Sequence, residues 1–300
     1  MIRINYVQIV IAICLICLLN TAYSRPKIEE MPIIRPNIHA VKIESEVLGL
    51  DMLVEVTLPY GYDPHNSDQK YPVMYITDAF NFGLMISNNN YQQTFGFGES
   101  SPGLIPNIIT VAFDFLVPFE INELMRLNYY TPTEAFDENV GTIGGNADLF
   151  IDFVLSELKP YIRDNYNTDD NNETFGGHSL GGLLTLYILF TQPQIFDNYI
   201  ASSPSIYWDD KVLHSYEQAF FEQHRKLQKK VFISAGTDED PYGIVFGYVK
   251  TFSSIIASRN YKKLDLKIRT FEGENHTSVV VNAFAQGARH VLNHHLHRPE

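Results

Sequence analysis

Two patterns of apolar residues divide the chain. Val41–Val47 and Asp51–Leu58 alternate apolar and polar positions, with Gly49 between them. Period-two alternation broken by a turn residue predicts an antiparallel hairpin at a sheet edge, one face covered and the other wet. From Tyr71 onward the alternation gives way to short continuous apolar runs: Val73–Thr77, Ile108–Phe113, Asn198–Ala201, Val231–Ser234 and Leu266–Phe271. Such runs suit strands covered on both faces. Helical periodicity fills the intervals at Ala147–Leu158, Leu180–Thr191, Val245–Ala257 and Ser278–Leu296. Alternating strands and helices predict an α/β fold, a three-layer αβα sandwich whose central sheet is mostly parallel and carries the antiparallel hairpin at its N-terminal edge. No composition break separates a second domain, so residues 41–300 read as one domain. The stretch 205–230, with Tyr207, Trp208 and a polar helix, reads as a small insertion over the strand ends.

The first residues follow a different rule. Arg3 precedes an unbroken apolar run, Ile9–Leu19, and Ala22-Tyr23-Ser24 places small residues where a signal peptidase reads them. Residues 1–24 therefore read as a signal peptide, followed by a Pro-containing lead-in over 25–40. The run falls short of the ~20 apolar residues a membrane helix needs, so no stable membrane insertion is expected after cleavage. A secreted or periplasmic location follows. Both cysteines, Cys14 and Cys17, lie inside this segment. The mature chain would then have no thiol for a nucleophile, a disulfide or a thiolate metal site.

Charge excludes one class of partner. The 300 residues carry a net charge of −13. Basic residues form only short pairs such as Lys229–Lys230, so no nucleic-acid partner is expected, because phosphate binding draws on clustered Lys and Arg.

The strongest chemical signal is Gly177-His178-Ser179-Leu180-Gly181, which matches G-x-S-x-G. It follows a short strand-like run, Thr174–Phe175, and opens the apolar helix beginning near Leu180. That strand–turn–helix setting is what a nucleophile elbow requires: the turn is sharp, and strand and helix approach too closely for side chains at the flanking glycines. A serine hydroxyl needs a base, and the base needs an orienting acid. Of ten histidines, His276 stands in the loop between the last predicted strand and the last helix, where it can swing over the strand ends towards Ser179. His178 adjoins the nucleophile, but its ring should point away from the hydroxyl. His290 and His294 share a helix face and read as a solvated helix end rather than a metal site. The strand at Val231–Ala235 ends in Gly236-Thr237-Asp238-Glu239-Asp240, at the strand end where catalytic groups gather in open α/β sheets. Any of Asp238, Glu239 and Asp240 can be the acid, and spacing does not choose among them.

An oxyanion needs backbone donors. One should be the amide of Leu180, and the second that of Ala79 or Phe80, after the strand ending at Thr77. Arg126 is a candidate clamp for an anionic substrate group, with a salt bridge as the competing reading. Tyr207 and Trp208 can wall a substrate pocket or simply pack.

Together these residues resemble the putative-esterase family that includes esterase D and the enterobactin and salmochelin siderophore esterases. The resemblance rests on Tyr71–Asp78, Arg126–Thr133, Gly144-Gly145 with Phe150, Gly176–Gly182, Ser203-Pro204-Ser205 with Trp208, and Gly273–His276. It spans nearly the whole chain from Val41. It implies the α/β-hydrolase fold, an esterase acting on a small-molecule ester, no metal and no cofactor, Ser179 as nucleophile and His276 as base. It favours Glu239 as the acid, because the family carries a carboxylate three residues after the strand-end glycine. Three positions depart from the family pattern: Ala79 replaces a glycine, Tyr207 replaces a tryptophan of the siderophore-esterase branch, and Leu127-Asn128-Tyr129 replaces a charged stretch. The expected function is an exported serine esterase working through an acyl-enzyme. Acyl transfer by the same residues and a non-catalytic binding protein on the same scaffold are the competing classes.

Overall fold

In the computed structural model, residues 37–96, 103–137 and 140–292 are described. The expected signal peptide and most of the lead-in fall outside them. Among the described residues, ten strands form two sheets. The large sheet holds β1 (Ile38–Ser45), β2 (Leu50–Thr57), β3 (Tyr71–Thr77), β4 (Ile109–Phe115), β7 (Thr168–His178), β8 (Asn198–Ser202), β9 (Lys230–Gly236) and β10 (Asp265–Phe271), in the order β1-β2-β4-β3-β7-β8-β9-β10. β1 pairs antiparallel with β2 and β2 with β4; every other pairing is parallel. β5 (Glu134–Asp137) and β6 (Gly141–Gly144) make a separate hairpin.

Side-chain alternation splits the core in two. Along β3, Val73 and Tyr75 point to one face and Met74 and Ile76 to the other. The first face joins Val111, Phe113, Phe175, Tyr199 and Ile233 to helix α5 (Leu180–Thr191), which is buried over nearly its whole length. The second joins Ala112, Ile200 and Phe232 to α1 (Leu84–Gln93) and to the C-terminal helix α8 (Val279–Leu292). Helices thus cover both faces, which is why the central strands read as unbroken apolar runs. This is the α/β-hydrolase sandwich that the sequence predicts.

Three differences have physical causes. β7 is much longer than the expected Thr174–Phe175, because its first half is polar yet partly buried. Glu173 is satisfied there by Lys159 Nζ at 2.7 Å and by the Tyr75 hydroxyl at 3.2 Å. Paired polar groups leave no apolar pattern to read. α1 and α2 (Phe119–Tyr129) lack a clear apolar stripe; in α1 the buried Asn90 and Gln93 take partners in Thr110 and Arg289. Finally, residues 205–230, expected as a small insertion, form the crossover from β8 to β9. A turn at Trp208–Lys211 leads into a helix at Leu213–Gln223, which packs against α5 through the ring pairs Tyr187–Tyr216 and Phe190–Phe220.

Candidate active site

β7 ends at His178 and α5 begins at Leu180, so the chain reverses direction at one residue. Ser179 holds that corner at φ 58° and ψ −117°, a conformation L-residues rarely adopt and one that lifts the side chain clear of strand and helix. The glycines allow it. A Cβ at Gly177 would lie 2.3 Å from the Gly181 backbone, and one at Gly181 would lie 2.2 Å from Thr77 Oγ1.

His276 stands in the loop after β10, with Nε2 at 3.0 Å from Ser179 Oγ. Its Nδ1 meets Glu239 Oε2. Glu239 is only 7% exposed, and its other oxygen accepts the Gly236 N–H at 2.6 Å and the Ser203 hydroxyl. Geometry thus separates the three carboxylates that spacing leaves equivalent. Asp238 is exposed and accepts the Thr237 hydroxyl at 3.0 Å. Asp240 caps the helix at Ile244–Arg259, accepting N–H groups of Ile244, Val245 and Tyr242, and these bonds hold its pKa below the usual range. The loops carrying Glu239 and His276 are joined by their backbones: Thr237 N–H donates to Phe271 O at 3.0 Å and Asp238 N–H to Glu274 O at 3.1 Å.

His178 is fully packed under this arrangement. Its ring lies 4.5 Å from that of His276 and edge-on to Phe82, with Nδ1 3.1 Å from Ser202 Oγ. Burial first, and His276 second, keep its pKa well below the ordinary imidazole value. His290 bonds the Asp265 carbonyl at 3.2 Å, while His294 lies outside the described residues.

Two amides where the loop after β3 approaches the elbow are candidate oxyanion donors. Leu180 and Ala79 each open a helical segment, so neither N–H has an intrahelical acceptor. Phe80 is corrected: its N–H donates to Asp114 Oδ2 at 3.1 Å and is not free for an oxyanion. The loop is set by the residue before it. Asp78 sits in the left-handed region at φ 66° and accepts the Thr77 hydroxyl at 2.9 Å and Arg126 Nε at 2.7 Å. Arg126, the candidate anion clamp, is therefore buried in an ion pair, with Glu123 taking Nη1 at 2.5 Å. Burial opposes its charge, but Asp78 and Glu123 outweigh burial and raise its pKa. Asp114 also accepts from Phe115 N–H and Asn122; burial, then Asp78, push its pKa up to about 6.

Trp208 packs as structure: it is buried and its Nε1–H donates to the Thr133 carbonyl at 3.1 Å. Tyr207 is exposed beside it. Phe80, Phe119 and Tyr242, which follow β3, β4 and β9, are exposed as well, so large rings rim the strand ends that carry Ser179.

Ser203, Ser205 and Asp114 were given no role by sequence reasoning. Asp114 left a signal, a carboxylate inside an apolar strand run. The two serines stand in a segment that carries the family resemblance, but hydroxyls near a strand end are common and no role could be read for them.

The fold is that of the α/β hydrolases. The chain belongs to the Putative esterase family, whose match spans residues 45–289, and it is a carboxylic-ester hydrolase. Among relatives, it is 28% identical to the ferri-bacillibactin esterase BesA of Bacillus subtilis over 233 residues, 74% of this chain and 79% of that one. It is 29% identical to the siderophore triacetylfusarinine C esterase of Aspergillus fumigatus over 195 residues, 64% of this chain and 63% of that one. The crystal structure of the BES protein from Bacillus cereus superposes with a TM-score of 0.79 at 28% identity, covering 90% of this chain and all of the other. Among the described residues no helix is long and apolar enough to cross a membrane.

Proposed function

We propose that this protein is an exported serine esterase that cleaves siderophore-type esters. The supporting observation is His276, which touches Ser179 with one ring nitrogen and Glu239 with the other. Glu239 fixes the proton on Nδ1, leaving Nε2 as the acceptor for the Ser179 proton. Ser179 Oγ attacks the ester carbonyl, and its proton passes to His276. The oxyanion receives the amides of Leu180 and Ala79. His276 then protonates the departing alcohol. Water enters, gives a proton back through His276, and releases the acid.

The substrate class comes from the relatives' named activities on ferric and fungal siderophores. An exposed aromatic rim suits a bulky ester. Export follows from the N-terminal pattern of Arg3, Ile9–Leu19 and Ala22-Tyr23-Ser24.

Turnover of p-nitrophenyl esters and of a trilactone siderophore by the mature chain tests the reading, with Ser179→Ala as the partner variant. Loss of both activities and of fluorophosphonate labelling, with an unchanged melting temperature, is expected. Retained turnover in Ser179→Ala would sink it.

A further inference from the structure

The loop after β8 touches both ends of the proton relay, Glu239 through Ser203 and Ser179 through Ser205. Ser203 adopts φ 44°, a strained value for a non-glycine residue, and its hydroxyl reaches Glu239. Two residues on, Ser205 is 1% exposed, its N–H donates to the Ser179 carbonyl at 3.1 Å, and its Oγ stands 3.3 Å from Ser179 Oγ. Strain persists where the surroundings over-determine it, and here they do so from both sides of Pro204.

The direction of the Ser205–Ser179 bond follows from counting protons. Ser179 has one hydroxyl hydrogen, and in the reactive arrangement His276 Nε2 accepts it. A bond between the two serine oxygens then needs the Ser205 hydrogen. Ser205 Oγ makes no other side-chain bond among the described residues, so pointing this hydrogen elsewhere would bury an unsatisfied donor.

We infer that Ser205 is a further catalytic residue, donating its hydroxyl to the nucleophile oxygen and stabilising the negative charge that Ser179 Oγ carries as its bond to the acyl carbon forms and breaks. This rests on reading Ser179 as the nucleophile. When the acyl-enzyme breaks down, the water oxygen bonds to the acyl carbon and its proton moves to His276 Nε2. The C–Oγ bond then breaks, its electron pair stays on Oγ, and Oγ takes the proton back from His276. The Ser205 hydrogen bond strengthens during that collapse. At rest 3.3 Å is long for a hydroxyl pair, and such contacts shorten as the acceptor gains charge. The geometry leaves one Oγ lone pair for the carbonyl and one for Ser205, so the donor does not block attack.

The test is Ser205→Ala beside Ser179→Ala, assayed on p-nitrophenyl acetate from pH 5 to 9. Ser205→Ala should lower kcat about tenfold, the loss of one hydrogen bond to a charged acceptor, with KM, melting temperature and the pH midpoint of the acid limb unchanged. Ser205→Cys keeps the volume and weakens the donor, so its kcat should fall between the two. Wild-type kcat in either Ser205 variant, while Ser179→Ala is inactive, overturns the inference and leaves the nucleophile standing. A loss accompanied by a shifted pH midpoint or a lowered melting temperature overturns it too, because that pattern belongs to a loop that merely holds Glu239 and His276. Full activity in Ser179→Ala removes the nucleophile reading itself.

Discussion

Glu239→Gln changes one atom and isolates the role of the acid. The carboxylate is held by three donors: the Gly236 N–H and the Ser203 hydroxyl on Oε1, and His276 Nδ1 on Oε2. The Gly236 amide is fixed in the backbone and can only donate. A glutamine must therefore turn its carbonyl towards Gly236, which aims its NH₂ group at His276. Nδ1 must then accept, so the imidazole proton moves to Nε2. That nitrogen now points a hydrogen at Ser179 and cannot take the serine proton. The fold should survive, because volume is kept and the glutamine can satisfy the buried donors around it. The expected loss is that of a base locked in the wrong tautomer, ~10⁴-fold in kcat, or about 5.5 kcal/mol. Steady-state turnover of a p-nitrophenyl ester measures it, with circular dichroism as the control for folding. A folded Gln variant within about tenfold of wild type would refute the tautomer argument and remove Glu239 from the mechanism.

Two further outcomes follow from the network beneath the oxyanion loop. Arg126→Gln leaves Asp78 as a buried charge without its partner, so unfolding free energy should drop by roughly 3–5 kcal/mol and kcat should fall through the displaced Ala79 amide; a raised KM with unchanged stability would restore the anion-clamp role instead. Asp114 binds its proton more tightly folded, at about pH 6, than unfolded, near 3.8. The native state therefore gains stability from this group as pH falls from about 6 to 4, and loses it as pH rises through the same window. Asp114→Asn should remove that component, so its stability relative to wild type should be higher at pH 7 than at pH 4 by an amount on the order of 3 kcal/mol. Urea titrations at the two pH values check this, and parallel curves for the two proteins would contradict it.

The fold was legible wherever burial is apolar. β3, β4, β8 and β9 read directly, because helices on both faces select unbroken apolar runs. The elbow read directly too, since its steric demand writes glycines into the chain. Legibility failed where buried polar groups are paired. Asn90, Gln93 and Glu173 look like surface residues until Thr110, Arg289 and Lys159 are placed opposite them. The choice of Glu239 over its neighbours had the same cause. Asp238, Glu239 and Asp240 are chemically alike and adjacent, so the residues alone left them equal; the family resemblance favoured Glu239, and in the structure the donors converge on it. Arg126 was left between a clamp and a salt bridge because its partner is far away in sequence: Asp78 takes its guanidinium from the helix Phe119–Tyr129.

The backbone lacing between residues 237–238 and 271–274 has a consequence for how this scaffold changes over time. Glu239 and His276 ride on one cross-tied pair of loops, whereas Tyr207 and Phe119 lie on other connections. Drift at Tyr207 and Phe119 can proceed without resetting the proton relay. New ester preferences are then reachable by single steps that each leave a working enzyme, and a library confined to Phe119 and Tyr207 explores selectivity on a constant chemical engine.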